Sequence, residues 1–207
     1  MIAALLSLSA FAQDQQAPAK PKAFRLSLTF NKQDKETQLY KQVWPFSAPA
    51  RDVVPTKASE AISAGQEMEF TGLEKYGSYK YKVFSTKGIS RSSKNGFIFG
   101  GAAGDYIVIP AVEGKFLSSI AVFTGEGGLV AKPSIQTMDG QVLKGGAAKK
   151  ELKDKEGNIL DMAAEGAKAR YSVKGCQSGE TYKFVLTEAE MLAICRISFY
   201  YKDVVAE

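Results

Sequence analysis

The segment Phe24-Arg-Leu-Ser-Leu-Thr-Phe30 alternates strictly. Phe24, Leu26, Leu28 and Phe30 fall on one side, and Arg25, Ser27 and Thr29 on the other. A two-residue period places one face of an extended strand in a core and leaves the other in water. The alternation returns in Tyr79–Val83, Phe97–Phe99, Tyr182–Leu186 and Ile194–Tyr201. Tyr106–Ile109 and Ile120–Phe123 are apolar on both sides, as central strands between covered faces are. Ser134–Met138 and Gln141–Leu143 flank Asp139-Gly140. That dipeptide suits a tight primed turn with positive φ, so the stretch predicts a hairpin. Ala58–Ala64 and Thr187–Leu192 have the length for one helical turn each, but no stretch carries a long helical period with caps. The pattern predicts an all-β chain, a two-sheet sandwich or a barrel. Gly140–Gly166 is the most polar stretch and reads as a long hairpin loop or an excursion.

With 207 residues the chain has the length for one domain with a substantial core. Its first twelve residues, MIAALLSLSAFA, are apolar and uncharged and end in Ala10-Phe11-Ala12. Small residues two positions apart suit a signal peptidase, so residues 1–12 read as the apolar region and cleavage site of an export signal, although no Lys or Arg precedes the run. The run is too short to span a bilayer. Residues 13–22, QDQQAPAKPK, read as a flexible leader, and residues 23–207 as a single β-sandwich domain. No transmembrane segment is expected in the mature chain.

Cys176 and Cys195 are the two cysteines. In an exported protein an even count admits a disulfide. Cys195 also alternates with Ile197, Phe199 and Tyr201, which predicts a core position and a buried thiol. Spacing does not choose between the two. The formal charge is +5, and the basic residues are spread along the sequence without a block. A basic surface favours acidic glycans or anionic envelope surfaces; a solvated surface without a partner is the plainer reading.

Gly114-Lys115 sits among several glycines, yet it does not open a phosphate loop. Phe116 follows instead of Ser or Thr, Ile109 stands where the first glycine belongs, and the next element is a strand. Histidine is absent from the whole chain. That excludes Ser-His-Asp and Cys-His nucleophile systems and the usual zinc sites. Carboxylate chemistry of the glycosidase kind remains, but none of the acidic residues stands out by its pattern. No Asp-x-Asp-x-Asp-Gly calcium loop is present, and neither metal nor cofactor is assigned. Sugar rings stack on exposed aromatic faces, which makes Trp44, Tyr76 and Tyr79 the candidate ligand-binding residues. The competing role for Trp44 is a core plug at one end of a sandwich.

The order of short motifs is itself informative. LSLTF, VWPFS, GFIFGGAAGDYIVIPAVEGKFLSSIAVF, the Asp139-Gly140 hairpin ending at Lys144-Gly-Gly146, TYKFVLT and AICRISFYY follow one another between residues 24 and 203. This order resembles a family of secreted β-sandwich proteins of gut-dwelling Gram-negative bacteria. The matching positions include Gly104, Tyr106, Ile109, Pro110, Gly114 and Lys115. Val108 and the loop Gly145–Gly166 depart from the family's pattern. The resemblance implies a jelly-roll β-sandwich of two antiparallel sheets, similar to galactose-binding-like domains, which mostly bind carbohydrate or serve as non-catalytic surface modules.

The resulting expectation is a non-catalytic exported module, periplasmic, surface-bound or extracellular, that binds a glycan or cell-surface component and no nucleic acid. A structural or protein-interaction component of the envelope, with no sugar site, is the alternative. A carboxylate-based glycan-active enzyme is the third reading.

Overall fold

The computed structural model describes residues 23–33, 36, 40–46, 63–74, 77–91, 97–99, 101–124, 133–143, 168–187 and 192–204. The expected signal and leader, Tyr76, and most of the polar stretch before Gly166 lie outside them. The described residues form strands, turns and loops and no helix. In chain order the strands are β1 (Phe24–Thr29), β2 (Asn31–Gln33), β3 (Tyr40–Gln42), β4 (Gln66–Glu74), β5 (Gly77–Ser85), β6 (Ser90–Arg91) and β7 (Phe97–Phe99). They continue with β8 (Tyr106–Ile109), β9 (Lys115–Thr124), β10 (Pro133–Gln136), β11 (Lys168–Ser172), β12 (Tyr182–Leu186) and β13 (Leu192–Asp203).

Two antiparallel sheets carry the structure, and β2 and β3 form a separate ribbon. The first sheet runs β11-β9-β13-β7-β6, with β1 also on β13; the second runs β10-β12-β8-β5-β4. From β8 to β13 each strand lies in the opposite sheet from the one before it. The last strand, β13, is the spine of the first sheet. β9 occupies one edge of it, while β7 at Leu192–Ile194 and β1 at Arg196–Tyr201 share the other.

Alternation decides what lies between the sheets. Leu26 and Leu28 of β1, Ile120 and Val122 of β9, and Ile197, Phe199 and Tyr201 of β13 turn inward from the first sheet and are buried. Phe70, Tyr81, Val83, Ile107, Ile109, Ile135 and Phe184 face them from the second. Ring pairs bridge the layers: Tyr81 to Phe199 at 6.0 Å and Tyr171 to Phe184 at 5.7 Å between centroids. The Tyr201 hydroxyl crosses the core and donates to the Pro110 carbonyl at 2.8 Å. Gly72 lets β4 close on this layer, because a Cβ there would stand 2.6 Å from the Tyr81 ring.

Three details differ from the sequence reading. The periodicity of β13 breaks at a register shift between Ile194 and Arg196, so Ile194 is the buried residue and Cys195 sits half-buried at the bulge. An extra residue in one strand reverses the alternation on one side of it. The hairpin after β10 is also not a primed turn. Gly140 alone has positive φ, at 93°, and Thr137 N–H bonds Gln141 O at 2.9 Å. That is a type I turn followed by a left-handed glycine, a three-residue loop. Finally, β4 and β11 are strands that the sequence reading passed over. β4 carries three glutamates, a residue type depleted in strands, which blurs its Met68–Phe70–Gly72 inner face.

Replacing Tyr201 by Phe is expected to cost about 1–3 kcal/mol of stability, since it leaves the buried Pro110 carbonyl without its donor. Urea unfolding of the two proteins measures this; equal midpoints would mean that the hydroxyl contributes nothing.

Candidate functional site

The outer face of the second sheet is built by register. Glu67 of β4 stands opposite Phe84 of β5, Phe84 opposite Tyr106 of β8, Tyr106 opposite Val185 of β12, and Val185 opposite Ser134 of β10. The neighbouring row reads Glu69, Lys82, Val108, Lys183 and Gln136. Two rows of outward side chains thus cross five strands, with aromatic and aliphatic groups in the middle and charge around them. Val108, a departure from the resembled family, is buried between its lysine neighbours; their aliphatic stems cover apolar surface while the ammonium groups stay in water.

The Phe84 and Tyr106 rings stack at 5.5 Å with an interplanar angle of 21°, and both are half-buried. The Tyr106 hydroxyl donates to Glu67 Oε2 at 2.6 Å, and Lys82 Nζ donates to Glu67 Oε1 at 3.0 Å. Lys183 Nζ lies 5.0 Å from the Tyr106 centroid and donates to Met138 O at 3.2 Å. Desolvation first, then the bond to the Glu67 carboxylate and its charge, push Tyr106 up to about 12. The same bond from Tyr106, followed by that from Lys82, holds the Glu67 carboxyl below its ordinary range. Glu67 is therefore an ionised acceptor near neutrality and not a proton donor.

The residues singled out from the sequence fall elsewhere. Trp44 packs edge-on against Phe30, Phe46 and Phe70 at 6.2, 5.1 and 6.0 Å, so its ring belongs to an aromatic cluster at the core boundary. Tyr79 lies on the inner face of β5, half-buried and 6.3 Å from Phe24. Trp44 and Tyr79 thus pack inward, away from the Phe84–Tyr106 face, and Tyr76 lies outside the described residues. Gly114, with φ of 68°, turns the chain directly into β9. Lys115 is that strand's first residue, ion-paired with Asp203 at the far end of β13. It joins two strands.

The cysteines are free thiols, against the bridge considered from their spacing. The loop bearing Cys176 bonds through Gly179 N–H to Lys115 O, beside Asp203, whereas Cys195 lies eight positions up β13. At about 3.3 Å per residue that interval is roughly 26 Å, and the three residues from Gly179 to Cys176 can recover no more than about 11 Å of it, which leaves a gap beyond the reach of a disulfide. Burial pushes the Cys176 thiol up to about 11, against an opposing bond with Tyr182.

Asp105 is fully buried and structural. Its Oδ1 accepts from Thr86 N at 3.0 Å and Thr86 Oγ1 at 2.7 Å, and its Oδ2 from Ala102 N at 3.3 Å. It thereby fastens the turn after β5 to the loop before β8. Among the described residues, no group of three or more Asp, Glu or Cys side chains is placed to hold a metal ion. No helix among them is long and apolar enough to cross a membrane.

The pair Phe84–Tyr106 was missed because Tyr106 was read only as part of an apolar strand. Its alignment with Phe84 depends on the pairing of β5 with β8. Two outcomes follow from this geometry. Asp105→Ala leaves the part-buried donors of Thr86 and Ala102 without their acceptor and is expected to lose about 1–3 kcal/mol in chemical denaturation. Tyr106 favours its neutral form in the folded state, so its contribution to stability is full below pH 10 and fades as the pH rises through about 12. Its tyrosinate absorbance, isolated as the difference between the wild type and Tyr106→Phe, is expected to titrate near that value. Glu67→Gln should lower the midpoint by removing the adjacent negative charge; an unmoved midpoint would show that the contact is not formed.

No family model, no curated protein and no solved structure matches this chain.

Proposed function

We propose that this chain is a non-catalytic exported module of jelly-roll, galactose-binding-like topology that binds carbohydrate, or adheres through it, at the cell envelope. The observation that carries the reading is the half-buried Phe84–Tyr106 stack on the outer face of the second sheet, with Glu67, Lys82 and Lys183 around it. A sugar presents apolar C–H patches and a rim of hydroxyls. Its binding surface therefore combines aromatic area with a few fixed donors and acceptors. The alternation of β8 to β13 between the sheets supports the jelly-roll topology. The apolar first twelve residues and the resemblance to secreted gut-bacterial β-sandwich proteins support export. The depressed, doubly bonded Glu67 carboxyl and the absence of histidine from the sequence support a binding role over a catalytic one.

The second reading, a protein-interaction component of the envelope, draws on Met138 and Val142. These are large apolar side chains, 44% and 65% exposed, on the hairpin beside this face.

A glycan array with wild type and Tyr106→Ala tests the proposal. Binding to at least one polysaccharide, weakened tenfold or more in a variant that still melts cooperatively, is the expected result. If no polysaccharide binds, the carbohydrate reading falls and the protein-interaction reading takes its place. Equal binding by the variant would remove this face as the site.

A further inference from the structure

The outer face of the first sheet differs from the second in charge. In all six of its strands the only acid is Asp203, and Asp203 is ion-paired with Lys115. The second sheet interleaves glutamates and lysines and pairs them, as in Lys80–Glu69 and Lys82–Glu67. On the first sheet Arg25, Arg170, Arg196 and Lys202 point outward, because their neighbours Leu26, Tyr171, Ile197 and Tyr201 point into the core. None of the four is ion-paired with a carboxylate among the described residues.

Their placement is fixed by register. Arg170 is in line with Ala121 and Ser198, two strands over, and Arg25 is in line with Tyr200. With strands about 4.8 Å apart and about 3.4 Å per residue, the Cα atoms of Arg25, Arg170 and Arg196 form a triangle with sides of about 12–16 Å. Two guanidinium groups are held by aromatic rings: Arg170 lies 5.0 Å over Tyr200 and donates to Ser119 Oγ at 3.1 Å, and Arg196 lies 3.8 Å over Phe123. The floor between them, Ser119, Ala121 and Ser198, is buried. What this face offers a partner is its cationic rim, with Arg25, Arg170 and Lys202 exposed.

We propose that this face binds an acidic polysaccharide, a chain bearing repeated sulfate or carboxylate groups. Cations held this far apart suit a ligand with anions at intervals better than one small ion. A face whose cations meet no carboxylate among the described residues attracts such a chain through a field that water and salt only partly screen. A nucleic acid is disfavoured because Arg170 and Arg196 already lie over Tyr200 and Phe123, the rings that bases would stack on. A bilayer is disfavoured because, among the described residues, the exposed large apolar side chains form no patch on this face: Met138 and Val142 lie on the hairpin after β10, and Val204 stands alone past the end of β13. The inference is independent of the Phe84–Tyr106 site and would stand or fall without it.

Heparin, a single-stranded oligonucleotide and phosphatidylglycerol vesicles are the probes, each titrated with the full chain across a salt series. Heparin is expected to bind most tightly, with affinity falling steeply as salt rises. Arg25→Gln and Arg170→Gln should each weaken it roughly three- to tenfold and flatten the salt dependence, whereas Lys80→Gln on the opposite face, which removes the same charge, should leave it unchanged. No heparin binding at low salt, equal loss in Lys80→Gln, or tighter binding to the oligonucleotide or the vesicles would overturn the proposal.

Discussion

The pairing of β13 on both edges holds the first sheet together. One strand of twelve residues joins β9 along one side and β1 and β7 along the other, and it supplies Ile197, Phe199 and Tyr201 to the core. Its pairing with β1 brings together residues from opposite ends of the sequence; Ser27 and Ser198, 171 positions apart, share a hydrogen bond of 2.9 Å. Such contacts form only after a large loss of chain entropy, so a topology like this folds slowly and cooperatively. The Tyr201 hydroxyl then ties the spine of one sheet to the strand end at Pro110 in the other. The buried carboxylate of Asp105 performs a comparable local task, ordering two turns around the start of β8.

From this framework come two outward faces of different chemistry. The second sheet presents an aromatic pair inside a compensated set of glutamates and lysines. The first presents arginines lying over aromatic rings with almost no acid. A sandwich separates its outer faces by the full thickness of its core, about 10 Å plus the side chains beyond it. At ordinary ionic strength that distance exceeds the range over which exposed charges act strongly on one another. The two faces are therefore electrostatically independent of each other.

Much of the architecture is legible in the alternation of particular strands. β1, β5, β8, β9, β12 and β13 each coincide with a segment whose period or apolar run marks it, because the core accepts every second side chain and water accepts the others. The period misleads where the backbone is irregular. Cys195 is in phase with Ile197 by count, yet the bulge at Ile194–Arg196 takes it out of the core. The hairpin at Asp139-Gly140 is recognisable from its dipeptide, but its turn type depends on how Thr137 and Gln141 pair. Gln66–Glu74 escapes notice because its glutamates suggest exposure on every side, whereas Glu67 and Glu69 share one outer face and Phe70 and Gly72 the buried one.

The candidate sites were far less legible. Trp44 is open to either a stacking surface or a core plug and Tyr79 to a stacking surface when only the sequence is known, and the structure packs both against the core. Phe84 becomes informative only when β5 and β8 align it with Tyr106. The basic residues are dispersed along the chain, and the sheet order gathers Arg25, Arg170 and Arg196 onto one face.

The sequence by itself determined the all-β class, the positions of most strands, the strand connection at Gly114-Lys115 and the lack of imidazole chemistry. Each of these follows from local periodicity, local turn chemistry or composition. Only the tertiary structure decided which strands are neighbours, which aromatics face outward and how charge divides between the faces. Those outcomes depend on pairing between segments far apart in the chain, from Phe84 and Tyr106, 22 positions apart, to Ser27 and Ser198, 171 positions apart, set by the joint burial of inward side chains. No window of a few residues contains that information.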